Sequence, residues 1–416
     1  MTTSFYDALE TRNPRDREAS LMAALPAQVA HAQQATRAFA RILQGVDATR
    51  VSSREALARL PVTRKGELFE QQKAQRATDP FGGFSAHVRG PAMPRIFASP
   101  GPIYEPDGST RDYWRVGRAM FAAGFRSGDL VHNAFSYHMT PGAFIMESGA
   151  HAVGCTVFPA GVGQTEQQLQ AIAELRPVAY SGTPSFLRIL VEKAQEAGAD
   201  ISSLKKGMVG GEAFPPSLRD WFSERGMDVY QSYATADLGL IAYETASREG
   251  MVIDEGVIVE IVRPGTGDPV PEGEVGEVVV TTLNAAYPLI RFGTGDLSAV
   301  LPGMDPTGRT NTRIKGWLGR ADQTTKIRGM FVHPSQVADI ARRFPEIVKA
   351  RLVVSGEMAN DIMTLQVEAA SAPQGLDARI GEAVRDVTKL RADVQLVQPG
   401  SLPNDGKVIE DARSYK

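Results

Sequence analysis

A single cysteine, Cys155, stands among 416 residues, which excludes an intramolecular disulfide framework and a cysteine-rich zinc site. It lies in the apolar run Ala152-Val-Gly-Cys-Thr-Val-Phe158, where a thiol serves as a small buried hydrophobe rather than a nucleophile. Neither charge sign is in marked excess: 45 Lys and Arg face 48 Asp and Glu. No electrostatic footprint for nucleic acid or an anionic membrane surface follows, and a small-molecule partner is favoured. Although 43% of the residues are hydrophobic, no uninterrupted apolar span reaches bilayer length, and the opening MTTSFYDALETRNPRDRE has neither a basic cap nor an apolar signal core. The expectation is a cytosolic, cytoplasmic protein with no membrane partner. Also missing are a G-x-S-x-G elbow, a G-x-x-x-x-G-K-[ST] loop, a G-x-G-x-x-G fingerprint and a metal-like pair of histidines. Their absence weakens hydrolase, P-loop NTPase and dinucleotide-oxidoreductase readings.

The chain is too long for one typical compact domain, so two are expected. Glu18 to Leu43 is rich in Ala, Gln, Arg and Leu and suits helices, with Pro26 as a start or break. In Leu60-Pro-Val-Thr-Arg-Lys-Gly-Glu-Leu68, Thr63 can cap a short helix. From Gln164 to Gln231, helix-like and strand-like pieces alternate, and Thr183-Pro184 combines a capping hydroxyl with a first-turn proline. Such alternation implies βαβ units and a parallel sheet covered by helices, with ligands beyond the carboxyl ends of the strands. Val257–Val262 and Glu277–Thr282 predict strands of a small β subdomain, separated by the turn-rich Pro264–Gly273. After Asp322 the composition suits a compact α/β module, with helices near 334–343 and 376–390 and strands near 351–354, 362–367 and 393–397.

Two segments carry the most information: Tyr287-Pro-Leu-Ile-Arg291-Phe-Gly-Thr-Gly-Asp296, and Gly319-Arg320-Ala-Asp322-Gln-Thr-Thr-Lys-Ile-Arg328-Gly329. Together they resemble the ribose-binding and hinge motifs of adenylate-forming acyl-CoA ligases, in the branch typified by phenylacetate-CoA ligase. The resemblance runs through almost the whole chain in consistent order. It implies an α/β protein: a large N-terminal adenylate-forming domain (1–321) with parallel βαβ sheets and a small β subdomain, and a small mobile α+β C-terminal domain (322–416). The implied reaction is carboxylate plus ATP giving acyl-AMP and pyrophosphate, then CoA giving acyl-CoA and AMP. ATP, Mg²⁺ and CoA are the implied cofactors, and a homodimer the implied assembly.

By the same resemblance Asp296 accepts hydrogen bonds from ribose hydroxyls, with Gly293 and Gly295 letting the backbone turn around it. Arg320 contacts ribose or phosphate, Asp322 is the hinge, and Gly329 borders the pantetheine tunnel. Lys407, in Gly406-Lys407-Val-Ile-Glu-Asp-Ala-Arg413, is the candidate catalytic lysine, an ammonium on a long stem suited to the α-phosphate. Gly210, Gly211 and Glu212 resemble the turn that frames adenine. In Tyr233-Ala234-Thr-Ala-Asp237, Tyr233 is implied to pack on adenine and Asp237 to bind Mg²⁺ on a shorter arm than the usual glutamate. His132, Phe135, Tyr137 and His138 fall where the family builds its acyl pocket, as do Thr183 and Pro184, and aromatic walls suit an aryl or arylalkyl acid.

The largest departure is Ala98-Ser99-Pro-Gly101-Pro102-Ile103-Tyr104-Glu105-Pro106. The family's phosphate loop here is rich in Gly, Ser and Thr and ends in lysine; this chain keeps Ser99 and Gly101 but has Glu105 where lysine is usual. Proline has no amide to donate, and an acid beside a triphosphate is repulsive. The loop therefore predicts altered pyrophosphate handling. It leaves two rivals to a ligase: a pseudoenzyme that binds nucleotide or acyl-adenylate without turnover, and a partner-binding scaffold.

Overall fold

The structure, a computed structural model, describes residues 4–263, 265–321, 325–328, 330–332, 334–357, 360–403 and 408–413. It divides into two compact units, Met1–Gly319 and Arg320–Lys416.

Among the described residues the large unit builds a nine-stranded sheet. Its parallel half runs Thr156–Phe158, Leu130–Asn133, Ala179–Gly182, Lys206–Val209 and Asp228–Thr235, in a register that aligns Val131 with Ala179, Ala179 with Lys206, and Lys206 with Asp228. The expected βαβ alternation is thus present. The crossover helix Pro184–Ala197 starts where Thr183 Oγ1 accepts the Phe186 N–H at 3.3 Å and stops at left-handed Gly198. Cys155 is buried beside this sheet. A second sheet pairs Val257–Val262 with Gly276–Thr282 and the latter with Phe292–Ser298, all antiparallel, and adds Thr63–Arg64 parallel to Phe292–Ser298.

Two sequence expectations fail near the N-terminus. No break occurs at Pro26, because one helix spans Pro14–Ala35. Leu21, Leu25, Val29 and Ala32 on its inner face are buried in the core, and this burial outweighs the roughly 3 kcal/mol that an interior proline costs. Nor does Thr63 cap a helix: it lies in the Thr63–Arg64 strand, and the helix Lys65–Gln75 begins with Arg64 N–H donating to Glu67 at 3.2 Å. Strand pairing claims the Thr63 backbone first, through its N–H to Arg291 O at 2.9 Å.

Arg291 is the large unit's internal tie. Fully buried and at φ +44°, it uses every guanidinium N–H. Nε and Nη2 meet the Glu260 carboxylate at 3.0 and 3.1 Å, Nη1 meets the carbonyls of Ala58 and Leu60 at 2.8 and 2.5 Å, and Nη2 meets the Gly267 carbonyl at 2.7 Å. This residue of the ribose-motif segment therefore works structurally, binding helical, sheet and turn segments together.

The small unit is an α+β module. Among its described residues, Ile347–Glu357 pairs with Asn360–Ala369 and Ile409–Asp411, and Asn360–Ala369 with Asp393–Val397. Leu352, Val354, Leu365 and Val367 share a core with Ile340, Ile380 and Val384 of the helices Pro334–Arg342 and Leu376–Thr388. No helix among the described residues is long and apolar enough to cross a membrane.

Arg291→Met would strand the Glu260 carboxylate in the core and is expected to destabilise the large unit by about 3–5 kcal/mol. The readout is a lower urea midpoint; an unchanged midpoint would refute the tie.

Candidate active site

Asp296 sits on the Phe292–Ser298 strand with its carboxylate held from two sides. Tyr233 donates its hydroxyl to Oδ2 at 2.8 Å, and Trp317 donates its indole N–H to Oδ1 at 3.1 Å. The Tyr233 oxygen also lies 3.1 Å from Thr294 Oγ1, which donates to the Val278 carbonyl at 2.9 Å. Gly295, at φ +74°, supplies the left-handed turn expected before Asp296. Gly293 has a different reason: a Cβ there would stand 2.7 Å from Glu277 Oε1 and 3.1 Å from Val62 Cγ1, so packing rather than turning selects glycine.

The Gly210–Glu212 turn leaves the carboxyl end of the Lys206–Val209 strand, with Gly211 left-handed at φ +77°. A side chain at Gly210 would press on the Ser232 carbonyl, 3.2 Å from the Cβ position. Glu212 accepts the Ser185 hydroxyl at 2.5 Å, and Ser185 lies 3.3 Å from Thr183 Oγ1. Pro184 is the first residue of that helix. Sequence-distant turns at Thr183–Ser185 and Gly210–Glu212 are thereby joined. Ala234 follows Tyr233 across an irregularity in the pairing of Asp228–Thr235 with Gly239–Tyr243, which separates the side chains before and after it.

The expected phosphate loop is a tight hairpin in which Ser99 faces Ile103 across Ile96–Ser99 and Ile103–Pro106. Glu105 does not project from it toward a ligand. It is 1% exposed and folds back along the hairpin, taking the Ser99 N–H at 3.2 Å and the Ser99 hydroxyl. Ser99, expected to bind nucleotide, thus directs both donors to Glu105. Gly101, at φ +155°, makes the turn. The Lys65–Gln75 helix pins the hairpin from one side: Gln72 Nε2 donates to the Tyr104 carbonyl at 2.8 Å and Gln72 Oε1 accepts the Tyr104 N–H at 2.8 Å. Arg76 donates to the Pro102 carbonyl at 3.0 Å.

That helix also carries a cation the sequence reading missed. Lys65 Nζ lies 2.7 Å from Asp237 Oδ2, with the aspartate buried. Asp237 Oδ1 is buried without a hydrogen-bond partner among the described residues. Burial first, then the Asp237 charge, pushes the Glu105 carboxyl up to about 8, with Lys65 opposing. Lys65 therefore balances the Asp237 carboxylate, while Glu105 is held neutral near pH 7. The signal available in sequence was the Thr63-Arg-Lys65 segment ahead of a helix, which named no role.

The acyl-pocket candidates divide. Tyr137 donates to Glu147 at 2.7 Å and accepts from Asn133 Nδ2 at 2.9 Å, and its ring meets Phe144 edge-on at 5.2 Å. Burial and the Glu147 carboxylate hold its phenol proton firmly. Phe135 is half-buried beside Gly142. His138 is instead exposed, so it forms no buried wall, and His132 is packed: its Nε2 meets Gln168 Oε1 at 2.7 Å and its ring stacks on Phe158. A cleft of about 300 Å³ includes Phe144 and Glu147 with Arg95, Asp107 and Trp114, but not Asp296 or Tyr233. Asp112 caps the backbone N–H groups of Val116 and Gly117 at 2.8 Å each. Arg320 is described by its backbone alone, in the strand Gly319–Arg320. Asp322, Gly329 and Lys407 lie outside the described residues.

Comparison with known proteins gives this arrangement its family. Residues 111–286 match the AMP-binding enzyme model and residues 329–412 the AMP-binding enzyme C-terminal domain. Phenylacetate-coenzyme A ligase of Thermus thermophilus is 31% identical across 90% of this chain and 91% of its own, and that of Escherichia coli 30% identical across 84% of each. A crystal structure of 2-hydroxyisobutyryl-CoA ligase, in complex with 2-HIB-AMP and CoA, superposes with a TM-score of 0.86 at 26% identity, covering 99% of this chain and 93% of that one. The chain belongs to the phenylacetate-CoA ligase branch of the adenylate-forming acyl-CoA synthetase superfamily. It is an AMP-forming acid–thiol ligase that uses ATP and CoA.

Because Glu105 keeps its proton in the fold to about pH 8 against an ordinary 4.5, the unfolded chain releases that proton first. Between those values the folded state therefore loses stability as pH rises. Glu105→Gln, which cannot ionise, is expected to melt progressively higher than wild type from pH 5 to pH 8. A constant difference across that range would refute the buried neutral acid.

Proposed function

We propose that the enzyme activates an aromatic monocarboxylate, phenylacetate- or benzoate-like, as its acyl-adenylate and transfers the acyl group to CoA. The carrying observation is the Asp296 carboxylate, whose plane is fixed by Tyr233 and Trp317; Tyr137, edge-on to Phe144, and half-buried Phe135 offer aromatic surface in the same unit. The names of the relatives support the aromatic class.

In this reading Asp296 accepts the ribose hydroxyls and Tyr233, with the Gly210–Glu212 turn, frames the adenine. The substrate carboxylate attacks the α-phosphate and pyrophosphate leaves. Arg320 and Lys407 supply the positive charge that the developing phosphate oxygens require. CoA sulfur then attacks the acyl carbonyl and AMP leaves. Asp322 serves as the hinge between the half-reactions and Gly329 borders the pantetheine path, both by resemblance.

Lys65 provides the cationic charge that the loop lacks. Asp237 Oδ1, a buried hard oxygen without a described partner, fits one ligand position of a magnesium ion. Since no cluster of three ligating side chains occurs among the described residues, such an ion would complete its shell with phosphate oxygens and water. Bound there, it would offset phosphate charge as pyrophosphate departs. A cytoplasmic homodimer is the proposed setting.

The binding-only alternative is not favoured, because the acid that prompted it turns inward onto Ser99 and burial holds it neutral near pH 7. Release of AMP and pyrophosphate from ATP, Mg²⁺, CoA and a panel of aryl, arylacetic and short aliphatic acids tests the proposal. Preferential turnover of aryl acids is expected, and preference for aliphatic acids would overturn the substrate class. Lys407→Ala is expected to lose adenylation, roughly 10²–10³-fold for one lost transition-state donor, while converting supplied acyl-AMP to acyl-CoA. Equal loss of both half-reactions would contradict its role.

A further inference from the structure

We propose that Trp317 is a positioning residue for the ribose anchor, holding the Asp296 carboxylate in the plane that two vicinal ribose hydroxyls require. The inference rests on the reading of Asp296 as ribose acceptor and adds a residue that the sequence motifs did not mark.

An indole nitrogen is a donor only, and Trp317 directs it to Asp296 Oδ1 at 3.1 Å while Tyr233 takes Oδ2. The two donors come from separate segments, so rotation of the carboxylate about its last bond breaks at least one hydrogen bond. The segment that delivers the indole is itself clamped to the strand carrying Asp296. Lys315 N–H donates to the Ala299 carbonyl at 2.9 Å, and Leu318 N–H to the Leu297 carbonyl at 2.9 Å. Ser298 Oγ donates to the Gly316 carbonyl at 2.7 Å. Gly316, at φ +88°, allows the chain to turn between these bonds. Backbone contacts on both sides of Trp317 therefore fix the indole relative to the three residues after Asp296.

Packing alone does not explain the side chain. Trp317 is 40% exposed, whereas Trp114 is buried in the core. A tryptophan left this open contributes less burial than its size allows, and its indole N–H is directed to Asp296. A carboxylate already held in its binding orientation loses less rotational freedom when a diol arrives, so preorganisation appears as nucleotide affinity.

The test compares AMP with 2′,3′-dideoxy-AMP, which lacks both ribose hydroxyls, by calorimetric titration of wild type, Trp317→Phe and Asp296→Ala. For Trp317→Phe the expected result is AMP binding weakened roughly three- to tenfold, the range for losing one ordinary hydrogen bond. Dideoxy-AMP binding and the KM of the carboxylic acid should be unchanged. Asp296→Ala should weaken AMP and leave dideoxy-AMP unaffected. If Asp296→Ala leaves AMP affinity intact, the ribose reading itself fails. If Asp296→Ala weakens AMP but Trp317→Phe does not, the ribose reading stands and the positioning role falls. Equal weakening of both nucleotides by Trp317→Phe would also overturn it, since the ring would then contact the base or phosphate. Trp317→Leu provides the same comparison should the phenylalanine variant not fold.

Discussion

The arrangement of the large unit depends on the Arg291 guanidinium. Its five N–H groups are shared between Glu260 and three backbone carbonyls, and its own carbonyl accepts the Thr63 N–H at 2.9 Å. Two strands take their register from this point. Phe292–Ser298 starts at the next residue and leads to Asp296, while Thr63–Arg64 runs parallel to it and leads to Lys65. A buried cation that left one donor unmet would be costly. Complete satisfaction turns an expensive residue into a fixed origin from which the ribose anchor and the Lys65 ammonium are both measured.

Much of the fold was legible because local chemistry and tertiary packing agree. The Thr183-Pro184 entry and Gly198 exit bound a helix whose periodicity and caps both point the same way. Pro26 was misleading because local propensity opposed a buried face long enough to override it. Thr63 was misleading because a capping hydroxyl is a local signal, whereas its partner Arg291 lies 228 residues further along the chain.

The site divides in the same way. Asp296, Tyr233 and the Gly210–Glu212 turn sit in compact motifs, and a motif carries its geometry with it. Lys65 and Trp317 were not legible because each acts through a carboxylate supplied by another segment. Glu105 was legible as a departure but not in its direction: a sequence fixes which residue is acidic, while the hairpin register decides where the acid points. Ser99 pairs with Ile103 and Glu105 with Phe97 in that register, so Glu105 lies two residues beyond the partner of Ser99 and reaches it diagonally along the hairpin.

Gln72 meets both the N–H and the carbonyl of Tyr104, as a neighbouring strand would. The hairpin and the Lys65–Gln75 helix are thus tied together, with Lys65 paired to Asp237 and the Asp237 charge acting on Glu105. Evolutionary exchange at these places is consequently constrained as a set. A basic residue at position 105 would bring a second cation to the aspartate that Lys65 already meets. A loop transplanted from a relative with lysine at position 105 would change the charge facing Asp237 and remove the present acceptor of the Ser99 N–H.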